Sequence, residues 1–302
     1  MANYSFGKAK EKVLENNFIK AMKDPNFIRI VNTLDISEKI KMKYTTHLQE
    51  VAKQIDICAN CKGLGNCPYD IKGLVEYPVV EDDLVRFVYK KCKYRLKDEK
   101  DTEYLKNVSF YKMPEELKKA SFKKIYKDDS NRLETVKALK EFYDDYIKDK
   151  KVKGIYLHGN FGSGKSYLVS ALFNELAKKD VKSIIIYFPE LLRSLKASFG
   201  SEENEFDDRF EEIKTVPILL IDDIGAEKVT EWSRDEILGS ILQYRMDANL
   251  PTFFTSNLSI TELETHLAVT KNKSDVVKAR RIIERIKFLT KEIKMISINR
   301  RS

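Results

Sequence analysis

From Phe6 to about Gln54 apolar residues recur three and four positions apart, through Val13, Leu14, Ile19 and Met22 and then Ile28, Ile30, Val31 and Leu34. That spacing puts one face of a helix on a core, and it predicts several short helices. Between Cys58 and Cys92 the pattern changes. A Gly-containing turn, CANCKGLGNC, precedes alternating β-branched stretches at Val75 to Val80 and Leu84 to Tyr89, which predicts a small β unit. A polar stretch from about Asp98 to Asn131, with Met113-Pro114 as a turn, marks a domain boundary. Asn131, with Glu134 three residues on, is the expected cap of a helix through Val136, Leu139, Phe142 and Tyr146.

Beyond that helix the pattern becomes strand then helix, repeated. Five short apolar runs are strand candidates: Gly154 to His158, Ser183 to Phe188, Pro217 to Ile221, Thr252 to Ser256 and Lys294 to Ile298. Helical spacing fills the intervals. This alternation predicts the α/β class, with a five-stranded parallel sheet covered on both faces. The expected organisation is a helical and β N-terminal domain at 1–110, a linker at 111–131 and an α/β domain at 132–302.

Composition narrows the class. With 302 residues, 42% hydrophobic and 34% charged, the chain is long enough for two domains and too apolar to be disordered. No apolar run reaches the length of about 18 residues that spans a bilayer, and the N-terminus lacks a secretory pattern. A cytoplasmic protein without a membrane partner is expected. The net charge is +8, and the segment from Lys271 to Ser302 alone holds 11 basic and 3 acidic residues. Such a segment suits a polyanion or is simply a solvated basic face.

The chemistry sits in the second half. Gly159, Asn160, Phe161, Gly162, Ser163, Gly164, Lys165 and Ser166 fit GxxxxGK[ST], between the run GIYLH and the helical pattern that opens with Tyr167. Glycines let successive N–H groups converge on phosphate oxygens, and the following helix N-terminus adds positive potential. Lys165 is then expected on the β and γ phosphates of ATP and Ser166 on Mg²⁺. Downstream, ILLIDD ends a buried strand in two carboxylates. Asp222 is the candidate Mg²⁺ group and Asp223 the candidate for orienting the attacking water. Paired acids at a strand end also cap helices. Asn257, after the run PTFFTS, is the candidate for sensing the γ-phosphate.

All four cysteines, Cys58, Cys61, Cys67 and Cys92, are spaced C-x2-C-x5-C-x24-C. In a reducing compartment that spacing suits structural Zn²⁺ rather than disulfides. His47 could replace one thiol.

GNFGSGKS, ILLIDDIGAE, FFTSN and ARRIIERIKFL, in this order, resemble the helicase-loader branch of the AAA+ ATPases, and the cysteine-bearing N-terminal half is similar too. The resemblance covers essentially the whole chain. It implies an ATP-dependent protein that escorts a DnaB-type replicative helicase hexamer onto single-stranded DNA. The N-terminal domain would hold the helicase, and the ATPase domain would bind ATP and DNA and self-associate. It also implies an arginine acting on a neighbour's γ-phosphate. Arg285 matches that position, with Arg280 and Arg281 as alternatives, which leaves Lys271, Lys273, Lys278 and Lys287 for DNA. Adenine contacts are expected from Phe122 to Tyr126. Only Asn299 to Ser302 follow the last expected strand, so the helical lid of many AAA+ proteins has no room. Asp223 stands where many have Glu, which implies slow hydrolysis. A transposition helper of the IstB-like kind and a small-molecule P-loop kinase are the competing readings.

Overall fold

Strand and helix alternate as the pattern requires, and the central sheet gains one strand. The computed structural model describes residues 2–125, 130–197, 203–269 and 275–299, and the chain forms two compact units, Met1–Glu103 and Tyr104–Ser302.

The first unit begins with helices α1 (Ala2–Ala21), α2 (Pro25–Val31), α3 (Glu38–Lys43) and α4 (Thr45–Ala59). Strands β1 (Leu74–Glu81) and β2 (Leu84–Lys91) follow as an antiparallel hairpin, then α5 (Lys93–Thr102). Asp82 and Asp83 both have positive φ, 51° and 57°, the backbone that matches a two-residue turn to the strand twist. Phe18, Phe27, Leu48, Val51 and Val85 form the core.

The second unit contains β3 (Val108–Tyr111), α6 (Glu115–Lys118), α7 (Ser130–Lys148), β4 (Gly154–His158), α8 (Lys165–Ala177), β5 (Ser183–Tyr187), α9 (Phe188–Ala197), α10 (Glu203–Thr215), β6 (Ile218–Asp222), α11 (Gly239–Asp247), β7 (Thr252–Ser256), α12 (Ile260–Ala268), α13 (Asp275–Leu289) and β8 (Thr290–Lys294). A π-helical stretch, Trp232–Leu238, leads into α11. The sheet order is β3-β5-β6-β7-β4-β8, and every pairing is parallel. Successive residues of a strand face opposite sides. Ile184, Ile186, Leu219, Ile221 and Phe254 therefore pack against α9 to α13, while Ile185, Ile218, Leu220 and Phe253 pack against α7 and α8.

Three expectations change. The sheet has six strands rather than five, because Val108–Tyr111 adds to β5 as an edge strand; the compact units accordingly divide ahead of residue 110. The last strand is Thr290–Lys294 rather than 294 to 298, since its partner β4 ends at His158 and offers no ladder beyond it. Asn131 lies inside α7 instead of capping it. Among the described residues no helix follows β8, and no helix is long and apolar enough to cross a membrane.

Candidate functional site

The phosphate-binding motif lies between β4 and α8, at the carboxyl ends of the parallel strands, where the crevice of an open α/β sheet receives ligands. Gly159, Gly162 and Gly164 have φ of 147°, 70° and 88°, a backbone that only glycine adopts cheaply. The Lys165 ammonium is buried and donates to Gly159 O, Asn160 O and Asn257 Oδ1, each at 2.9 Å. Ser163 Oγ donates to Asn160 O at 2.9 Å, and Phe161 is exposed. Tyr167 belongs to a different contact: its hydroxyl accepts from Ser121 N at 3.3 Å. The segment expected near adenine is thereby tied to α8, with Phe122 packed on the core; Tyr126 lies outside the described residues.

Two chains of polar contacts join this loop to β6 and β7. In the first, Asp222 accepts from Thr255 Oγ1 at 2.6 Å and from the Ser166 hydroxyl. Burial pushes the Asp222 carboxyl above its ordinary range, and these two hydroxyls pull it part of the way back. In the second, Asn257 Oδ1 accepts from Lys165 while its Nδ2 donates to Asp223 Oδ1 at 3.2 Å. An ammonium only donates and a carboxylate only accepts, so the amide has one orientation that serves both. Asp223 adopts a left-handed φ of 58°, and its N–H donates to Thr255 Oγ1 at 3.0 Å. Ser256 Oγ caps the same turn by donating to Ile224 O at 2.6 Å.

Lys165, Ser166, Asp222, Asp223 and Asn257 are thus brought together as the motifs require. Arg285 makes a separate contact, donating to Gly239 O at 2.9 Å within its own chain. Arg280 pairs with Glu264, Lys278 with Asp235 and Lys287 with Glu284; Lys271 and Lys273 fall outside the described residues. Sequence reasoning missed three groups. Thr255 braces both aspartates and was legible only as part of a polar triplet. The buried Arg132 stands where a methyl on Gly164 would meet its Nη2 at 3.1 Å. Asn299 stands against Gly162 in the same way, at 1.8 Å from such a methyl. No local pattern signals either of the last two.

In the first unit the four cysteines are free, half-buried thiols. Burial and the proximity of Cys67, Cys61 and Cys92 push the Cys58 thiol up, so all four share one neighbourhood. Gly63 N–H and Gly73 N–H point at the sulfurs of Cys61 and Cys67, at 3.5 and 3.4 Å. Among the described residues, however, no three His, Cys, Asp or Glu side chains are arranged to hold a metal ion. The expected zinc set is not preformed. His47 stacks on Phe87 and bonds Glu76 instead of standing with the thiols.

Comparison with known proteins fits this geometry. Residues 155–249 match the ATPase family associated with various cellular activities (AAA). The replicative helicase loader DnaI of Bacillus subtilis (strain 168) is 34% identical over 96% of this chain and 94% of its own length. The chain belongs to the DnaI family of helicase loaders. A crystal structure of DnaI, 42% identical, superposes with a TM-score of 0.58, covering 66% of this chain and all of that one. The replicative helicase loader DnaC of Escherichia coli (strain K12) is 24% identical over 38% of this chain and 46% of its own. The match to DnaI extends across the cysteine-bearing first unit, whereas the match to DnaC spans less than half of either chain.

The residues present fit Mg²⁺. A hydroxyl and a carboxylate, Ser166 and Asp222, already touch at the loop, and both are the hard oxygen donors that the ion takes. Ser166 and Asp222 would hold the ion, which would supply charge neutralisation to a bound nucleotide's phosphates. The Asn257 amide bridges the Lys165 ammonium of the loop and the Asp223 carboxylate at the end of β6.

Proposed function

We propose that this chain is an ATP-dependent loader that carries a DnaB-type hexameric helicase onto single-stranded DNA, with ATP binding and slow hydrolysis switching the complex. The observation that carries this reading is the continuous path Lys165, Asn257, Asp223 beside Ser166, Asp222, Thr255. It couples the phosphate loop to the carboxylate that would orient water, as a nucleotide switch requires. The likeness to a loader along the whole chain, first unit included, supports the helicase as partner over the IstB-like transposition reading. In this reading the first unit grips the helicase, copies associate through the ATPase unit, and Arg285 leaves Gly239 O to serve a neighbour's γ-phosphate. Lys287 trades an exposed ion pair, individually weak, and Lys278 a half-buried one with Asp235, for DNA phosphates.

The spacing of the cysteines, their shared neighbourhood and the N–H groups aimed at two sulfurs support a zinc site that the ion itself assembles. Metal binding and local folding are commonly one event. Elemental analysis of the purified full chain is expected to find one zinc per copy; its absence would end this part of the reading.

The central test is a loading assay with the helicase, ATP and single-stranded DNA. The wild-type chain is expected to deliver helicase, with turnover below about 10 per second. Lys165→Ala should abolish nucleotide binding and delivery while still capturing helicase. Delivery by Lys165→Ala at the wild-type rate would overturn ATP dependence.

A further inference from the structure

Asn160 occupies a variable position of the phosphate-binding motif, and its side chain is committed elsewhere. Its Nδ2 donates to Ser297 O at 2.5 Å, and its Oδ1 accepts from Ser297 N at 3.0 Å. The amide thus reads the backbone of one residue from both sides, which allows a single amide orientation. Residues flanking Ser297 reach the loop too. Met295 N donates to His158 O at 2.7 Å. A methyl on Gly159 would stand 1.8 Å from Met295 O, and one on Gly162 would stand 1.8 Å from Asn299 Oδ1. Ile293, Met295 and Ser297 are buried, whereas Lys294, Ile296, Ile298 and Asn299 are exposed. The segment therefore keeps the period of a strand after its ladder with β4 has ended.

We propose that Met295–Asn299 is a strap that sets the shape of the phosphate loop, with Asn160 and Asn299 as its positioning residues. The inference rests on reading the loop as a nucleotide site, and it deepens that reading. Three glycines hold the loop in left-handed backbone, and no ladder hydrogen bond fixes Asn160 to Gly162. The strap touches the loop at 159, 160 and 162 in turn, adding to the bonds that Lys165 and Ser163 make to Gly159 O and Asn160 O. Holding the N–H groups in place before the phosphates arrive lowers the ordering cost of binding. Coupling runs both ways, so nucleotide must in turn steady the strap.

The test uses the full chain, with ATP and Mg²⁺ titrated calorimetrically. Asn160→Ala is expected to weaken ATP binding about tenfold and Asn299→Ala several-fold, within the ordinary range of site coupling. Asn299 is exposed, so Asn299→Ala reports even if Asn160→Ala folds poorly. In the wild-type chain, saturating ATP should slow hydrogen exchange of the Ser297 amide several-fold, a change that a merely structural tail would not show. Wild-type affinity in both asparagine variants, or exchange at Ser297 indifferent to ATP, would overturn the strap while Lys165→Ala still fails to bind. If Lys165→Ala binds ATP normally, it is the nucleotide reading that falls.

Discussion

Glu227 shows how a single side chain can carry a pH signature. It is 7% exposed and accepts from Gly225 N–H at 2.7 Å, and burial holds its carboxyl above the ordinary range. The folded chain therefore binds a proton at pH values where the unfolded chain has released it. Stability from this group is highest at low pH and falls as pH rises from the unfolded carboxylate range through the raised folded value. Glu227→Gln keeps an acceptor for Gly225 and removes the titration. Urea midpoints of the variant should lose part of the decline between acidic and neutral pH that the wild type shows; parallel curves would count against the assignment. Much at this scale was legible: Lys165, Ser166, Asp222, Asp223 and Asn257 each follow from strand-end or loop chemistry. Thr255, Arg132 and Asn299 were not, because each acts on a residue that only the folded chain brings near.

At the scale of elements, the parallel sheet followed from apolar runs, and its two faults have a physical reason. Val108–Tyr111 is too short and too polar in its surroundings to stand out, as edge strands tend to be. The last strand was displaced because alternation persists past the point where a partner exists: residues 294 to 298 look like a strand but run beside a loop. Arg245 is an element-scale device that sequence gave no hint of. It is fully buried and donates to Lys214 O, Val216 O, Pro251 O and Thr252 Oγ1 at 3.1, 2.8, 2.7 and 2.8 Å. It thus ties the end of α10 to the entry of β7, below β6. Arg245→Met keeps the bulk and strands these acceptors, at a cost on the order of 3 kcal/mol. The urea midpoint should fall with an unchanged slope; an unchanged midpoint would show that the carbonyls find other partners.

Each unit has buried residues of its own, one cluster in the first and one on each face of the sheet in the second. Phe27 is fully buried in the first unit, with its ring 5.8 Å from that of Phe18 and steeply inclined to it. Under the proposed function, Phe27→Ala should cost that unit about 3 to 5 kcal/mol and reduce helicase capture, while ATP affinity, expected of residues 104–302, should stay at the wild-type value. A matching loss of ATP affinity would mean that the units do not fold independently. Within the second unit the two rims are held by different kinds of contact. One rim of the sheet is pinned by Arg245, whose guanidinium gathers several backbone acceptors at once. The opposite rim carries the loop, the aspartate pair and Asn257 on hydrogen bonds shared among the side chains of Lys165, Ser166, Thr255 and Asn257. Any exchange of partners among those side chains would leave the far end of β6 and β7 on the footing that Arg245 gives it.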